Sequence, residues 1–345
     1  MKYKLKELTS KNVKRISDEV WKKYFDMRVQ VNERPGTKTP FLNWENLKKS
    51  ITDSLKNDKN LHCVSLIQKG NEFYGYFLVS SIPSGSRRNH LEVFYNSVHT
   101  SADDEIVCII SGQIKKYFDK ERDGIILFKT FNDTFREIAL KLNGKLGEYT
   151  IRMNLPPKEA NKKEMKKWLR ELPAANPDIR LKFYTTLPQK LIKEYCSLFT
   201  HLMEDMPKPN YFNTFIDPKK MAEREKNEKK ENVASYRMLA FNEKNKLVGM
   251  TNIFINKKYP QYPYQYMTGT LPGYRHRGIA KWMKAENFFR ITKDFGSRIS
   301  AIVTETHPYN FGSKRTSKLL GFKYEGCDVL YELDADKMPI TKSRK

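Results

Sequence analysis

Two stretches of this chain read as copies of one plan. NDTFREIALKLNGKLGEYT, from Asn132, and NFGSKRTSKLLGFKYEG, from Asn310, each show an Asn-opened helix that ends in Leu-Gly ahead of a strand. An internal repeat restricts the fold more than any composition does, because each copy must bury its own core. At 345 residues the chain has room for two such cores.

Hydrophobic periodicity extends the repeat in both directions. The C-terminal half reads as a strand at IRLKFYTTL, a helix at PQKLIKEYCSLFTHLM and a charged connection from about Pro209 to Glu231. A hairpin SYRMLAF/LVGMTNIFIN follows, turning through Asn242 to Lys246, then a strand at YQYMTGTL and a helix to about Lys293. A strand at ISAIVTET, a helix after Asn310 and a last strand at FKYEGCDVLYEL complete the order β-α-β-β-β-α-β-α-β. The N-terminal half repeats it less faithfully, from YKLKELT through the pair LHCVSLIQ and FYGYFLVSS and the helix DDEIVCIISGQIKKYF to GEYTIRMNL. The expected organisation is α/β: an N-terminal lobe over 1–155, a helical connector over 156–179 and a C-terminal lobe over 180–345. In the connector Pro156 and Pro157 open a helix, Pro173 and Pro177 end it, and Trp168 packs its apolar side.

Composition narrows the function. No apolar run approaches the roughly 20 residues of a membrane span, and MKYKLKELTSKN has no signal-type apolar segment, so a cytoplasmic protein is expected. Cys63, Cys108, Cys196 and Cys327 lie far apart, with no CxxC pair and no His at ligand spacing, which predicts free thiols and no metal. The net charge of +24 raises a nucleic-acid reading, because basic faces release counterions from phosphates. The lysines are spread along the chain and the aromatics sit apart from them in apolar runs, so a solvated lysine-rich surface is the expectation, with nucleic acid kept as an alternative partner.

The turn between YQYMTGTL and its helix carries the chemistry. Arg275, Gly278 and Ala280 form R-x-x-G-x-A at the mouth of a helix, where the first N–H groups have no internal partner and the helix dipole is positive. A slim turn there cradles a diphosphate: Gly278 lets oxygens approach, Ala280 keeps the first turn narrow, and Arg275, His276 and Arg277 add charge. The corresponding N-terminal turn, SVHTSADDEIVCII, has no glycine and places Asp103, Asp104 and Glu105 where phosphate would go. Ser101 and Asp104 form a capping box there, so that helix start satisfies itself and repels anions.

The strand, the Thr268-Gly269-Thr270-Leu271-Pro272 exit, the R-x-x-G-x-A turn, the helix, and the Asn310-opened helix ending in Leu320-Gly321-Phe322 together resemble the GNAT superfamily of N-acetyltransferases. The resemblance covers about Arg180 to Leu333. The two-lobe plan, with MEDMP and VNERPGTKTP at equivalent points, looks like the tandem branch that includes mycothiol-synthase-like proteins. It implies two lobes, each a mixed, mostly antiparallel twisted sheet flanked by helices, and acetyl-CoA as cosubstrate without a metal. The pantetheine arm would pair with the backbone of Thr268, Gly269 and Thr270, the diphosphate would rest on Arg275, His276, Arg277, Gly278, Ile279 and Ala280, and Asn310 would hold the arm near the thioester. The N-terminal lobe would be degenerate, and the molecule a monomer or homodimer.

An alkyl amine with a pKa near 10.4 is neutral in about one molecule in 10³ at pH 7, so acetylation needs a base or desolvation. Glu305 in IVTET is the best-placed carboxylate; Glu204 and Asp205 in MEDMP could meet a cationic amine from the other side. Tyr264 and Tyr266 read as packing aromatics. Many members of the superfamily carry a tyrosine seven positions after the Asn to protonate the leaving thiolate; here the position is Ser317, a much weaker acid that could orient the thioester. The expectation is an N-acetyltransferase for a primary amine, with a CoA-binding sensor or scaffold without turnover as the alternative.

Overall fold

The computed structural model describes residues 3–32, 43–83, 89–98, 103–118, 126–131, 135–207, 214–230, 232–258 and 260–339. The chain forms two compact units, one running to Thr150 and resuming at Gly326, the other taking Ile151 to Glu325 apart from a short segment outside the described residues.

In the first unit, β1 (Tyr3–Leu8), β2 (Leu61–Lys69), β3 (Glu72–Pro83), β4 (Asn89–Ser97), β5 (Ile126–Phe131) and β12 (Lys323–Leu333) lie side by side in that order. Only β4 and β5 run parallel. Alternation along β2 sends Val64 and Leu66 to one face and Cys63 and Ile67 to the other. α1 (Asp18–Asn32) and α2 (Trp44–Asn57) bury Trp21, Tyr24, Leu47 and Ile51 against the first face. α3 (Asp104–Tyr117) and α4 (Arg136–Lys141) cover the second with Ile106, Ile110, Ile114 and Ile138. Not among the expected elements is α2, whose Asn43 cap accepts from the Asn46 N–H at 2.9 Å.

The second unit repeats the layering. Its sheet runs from the latter half of β6 (Lys145–Leu155) through β11 (Ile302–Thr306), β10 (Tyr264–Thr270), β9 (Leu247–Asn256) and β8 (Val233–Phe241) to β7 (Arg180–Tyr184). Here the parallel pair is β10 and β11. α6 (Gln189–Glu204) and α7 (Pro218–Lys230) pack on Leu239, Met250 and Met267. α8 (Ile279–Phe295), α5 (Lys162–Ala175) and α9 (Phe311–Leu320) pack on the opposite face with Ile253, Ile255 and Ile302. The charged connection thus contains a regular helix, α7.

Three expectations change. The boundaries at 155 and 180 follow the repeat, whereas each compact unit takes in a strand from the other repeat: the end of β6 pairs with β11, Ile151 opposite Thr306, and β12 pairs with β5, Asp328 opposite Phe131. Cys327, Val329, Tyr331 and Leu333 alternate on β12 and fill the same core as Phe128 and Ile138, which explains where the last strand goes. The connector helix starts at Lys162, not at the two prolines, because Asn161 caps it by accepting from the Glu164 N–H at 3.2 Å; Pro173 sits inside its last turn. Trp168 is buried as expected, its indole N–H donating to Glu164 at 2.8 Å. In the first copy of the repeat, Leu146-Gly147 lies within β6, and the left-handed residue after α4 is Asn143 (φ 58°); Gly321 (φ 98°) has that role after α9. Asn132, expected to open the first of these helices, and Ser101 lie outside the described residues.

Candidate functional site

β10 and β11 are joined at only two positions, Tyr264 with Val303 and Gln265 with Thr304. Immediately beyond, β10 has a bulge: Gln265 opposes Ile253 and Thr268 opposes Thr251, one residue more than its partner. A bulge bends its strand, and past it the two parallel strands part. Thr268, Gly269 and Thr270 keep their pairing to Thr251, Met250 and Gly249 on β9, while among the described residues no strand pairs with their edge facing β11. An edge of this kind offers extended backbone donors and acceptors to an incoming chain. Gly269 is fixed by packing, since a Cβ there would come within 2.7 Å of Leu202 on α6.

The strand then enters a 3-10 turn at Pro272–Tyr274, passes through His276 (φ 62°) and Gly278 (φ 80°), and starts α8. Among the described residues no side chain caps α8, and no acid lies in its first turn, so its N-terminal donors are open to an anion. Ile279 is buried and brings only its backbone to this mouth, beside the partly exposed Ala280. Gly278 has two independent reasons to be glycine: its left-handed φ, and Leu172 of α5, whose Cδ2 would sit 2.6 Å from an added Cβ. A substitution at Gly278 therefore strains the fold itself, whatever it does to a bound anion.

The arginines of the turn are engaged. Arg275 donates to Asp205, the C-cap of α6, and its Nε reaches the Thr270 carbonyl at 3.5 Å. Asp205 also lies 3.8 Å from His201 Nε2. Arg277 donates to Asp178 and, at 3.0 Å, to Asn176 Oδ1, tying the turn to the segment behind α5 and holding the Asp178 carboxyl below its usual range. His276 is exposed. Asp205 is thus brought to the anion turn, and Arg277 is directed away from it.

On the sheet face under α6 and α7, the bulge turns Tyr266 toward an aromatic group: its ring is 5.7 Å from Phe199, 5.6 Å from Phe254 and 5.8 Å from Tyr264. Burial pushes the Tyr266 phenol above its ordinary value, Arg224 pulls it back and Glu305 adds to the rise, which puts these three side chains in one electrostatic neighbourhood. Glu305 is 29% exposed and faces Arg152 across the strand pair at 4.0 Å. Arg152, Arg224 and Tyr266 are the members that sequence reasoning passed over or read as packing; strand alternation through Glu305 and the doubled tyrosines were the available signals. Asn310 caps α9, its Oδ1 accepting from the Ser313 N–H at 3.1 Å. Ser317 is fully buried and its hydroxyl has no hydrogen-bond partner among the described residues.

The corresponding helix start in the first unit is filled by its own acids. Asp103 accepts from the Glu105 N–H at 2.9 Å, Glu105 accepts from the Tyr3 N–H at 3.2 Å, and Asp104 pairs with Lys141 at 2.6 Å. Among the described residues no cluster of His, Cys, Asp and Glu could hold a metal ion, the cysteines are free thiols, and no helix is long and apolar enough to cross a membrane.

No family model and no curated protein matches the chain. Solved structures do. A tandem GNAT protein from the clavulanic acid biosynthesis pathway, in a structure without acetyl-CoA, superposes with a TM-score of 0.69 at 13% identity, covering 97% of this chain and 99% of the other. A GCN5-related N-acetyltransferase from Sphaerobacter thermophilus gives a TM-score of 0.66 at 12% identity, with 98% and 96% covered. These superpositions give the chain the tandem GNAT fold of the GCN5-related N-acetyltransferases.

Proposed function

We propose that the second unit binds acetyl-CoA and transfers its acetyl group to a primary amine, and that the first unit has no cofactor site. The observation that carries this reading is the parting of β10 from β11 beside a helix start free of caps and acids. Acetyl-CoA would supply the activated acyl group as a thioester. The free edge of Thr268–Thr270 suits the amide-rich pantetheine arm, and the open N–H groups of α8 suit the diphosphate, with Arg275 exchanging Asp205 for phosphate oxygens. Glu305 accepts the proton that the amine loses as the N–C bond forms and the C–S bond breaks. The Ser317 hydroxyl is a poor acid, so the departing thiolate takes its proton from water. Titration with acetyl-CoA by calorimetry tests the reading, with one site per chain expected. Two sites would overturn the assignment of the first unit, and no binding would overturn the whole. Thiol release with a panel of amines then separates turnover from binding alone, a second reading favoured by the Arg152 partner of Glu305 and the burial of Ser317.

A further inference from the structure

α7 is strongly polar, yet it is fastened to the sheet by a buried charge cluster. Arg237 on β8 is 1% exposed and donates to Glu225 at 2.5 Å and to Glu228 at 3.3 Å, while the Ser235 hydroxyl donates to Glu228 at 2.6 Å. Burying such a cluster costs desolvation that an apolar contact would avoid. Its geometric product is a fixed Glu228, and Glu228 in turn accepts from Arg224 Nε at 2.9 Å. The Arg224 guanidinium lies over the Phe254 ring, 4.5 Å from its centre. Held from one side by a carboxylate and from below by an aromatic face, the guanidinium keeps its terminal Nη groups without a protein partner among the described residues.

Arg224 borders an open cavity of about 490 Å³ that Lys220, Glu223 and Asn227 also line. Lys220, Glu223, Arg224 and Glu228 carry equal numbers of positive and negative charges, so the cavity does not attract anions through a broad field. What it offers is one oriented donor fork, the geometry that matches a carboxylate or phosphate in two parallel hydrogen bonds. Phe254 links this fork to the transfer site, since its ring is the one 5.6 Å from Tyr266, whose phenol feels the charges of both Arg224 and Glu305.

We propose that the acceptor is an amine that also carries an acidic group, carboxylate or phosphate, and that Arg224 is the residue that reads that group. This rests on the acetyltransfer reading above and names its substrate class. A fork held in place before binding loses little freedom when the ligand arrives, so discrimination falls on the acid rather than on the chain between acid and amine. Lys220 and Asn227, on the same face of α7 and without a partner among the described residues, are the adjacent groups available to the remaining oxygens of a phosphate.

The test is a panel of amines in matched pairs: amino acids against their amides, and aminoalkyl phosphates against the parent aminoalkyl alcohols. Binding is followed by ligand-observed NMR, and KM by thiol release wherever turnover occurs. At least one acidic series should bind roughly tenfold more tightly than its neutral partners, the better series identifying carboxylate or phosphate. Arg224→Gln should remove that preference through KM with kcat little changed, and Arg224→Lys, which keeps charge without the fork, should restore only part of it. Arg224 is 45% exposed, so neither variant threatens folding. Equal binding of acidic and neutral partners, or a preference that survives Arg224→Gln, overturns the proposal. Calorimetry with acetyl-CoA on the same preparations reads the acetyltransfer hypothesis separately, because a protein that fails to bind the cosubstrate fails there first.

Discussion

Replacing Gly278 with alanine isolates how much of the anion turn is architecture. An L-residue held at φ 80° costs about 1–2 kcal/mol. The new Cβ would also approach Leu172 Cδ2 to 2.6 Å and Cδ1 to 3.3 Å. Leu172 packs against two clusters of the second unit, so displacing it adds about 1 kcal/mol or more. The expected destabilisation is therefore about 2–3 kcal/mol, read as a shift in the midpoint of urea unfolding. Pairing it with Leu172→Ala separates the two causes: the double variant should recover about 1 kcal/mol relative to additivity, because only the contact is relieved and the dihedral strain remains. A cost under about 0.5 kcal/mol for Gly278→Ala, or a strictly additive double variant, would refute the reasoning. Acetyl-CoA titration of the folded single variant then reports the cradle itself, which Gly278→Asp cannot do because its charge and its strain act together.

Asp205→Asn should free Arg275 from an exposed pair worth at most about 1 kcal/mol, and tighten acetyl-CoA binding by about two- to fivefold in calorimetry; weaker binding would show that Asp205 positions the arginine instead of competing for it. Glu305→Gln should lower kcat by about 10² or more with the acetyl-CoA affinity unchanged, measured by thiol release at pH 7; undiminished turnover would remove Glu305 from proton transfer. Lys284 is 6% exposed on α8, and burial pulls its ammonium down to about 8. Since the unfolded chain retains the ordinary value near 10.4, it binds more protons than the folded one between about pH 8 and 10.4, so stability rises with pH across that window. Lys284→Met should flatten that rise and gain at most roughly 3 kcal/mol at pH 7, as read by urea unfolding of both proteins from pH 7 to 10.

Local signals carried far into the second unit. Alternation in SYRMLAF and LVGMTNIFIN marks β8 and β9, and their turn follows from Asn242, whose Oδ1 accepts from the Lys246 N–H at 2.9 Å, and from the left-handed Asn245. The glycine turn and the open mouth of α8 were legible for the same reason, since helix starts are built from adjacent residues. What alternation cannot convey is which strand lies beside which: it identifies β12 as a strand but not β5 as its partner. The pairing of Arg275 with Asp205 was hidden too, because 70 residues separate them. The bulge that turns Tyr266 toward Phe254 shifts the period by one residue, so the doubled tyrosines read as ordinary packing.

The exchange of strands also sets a timetable. During synthesis, residues up to Thr150 emerge with β5 lacking its outer neighbour, and 178 further residues, from 151 to 328, must be made before Asp328 can meet Phe131. The second unit's sheet faces no such delay, as its borrowed segment, Ile151–Leu155, is already on hand when β11 is translated. The N-terminal unit therefore closes after the second, its β5 edge waiting unpaired while the second unit is translated, in the state most open to chaperones and to misassembly.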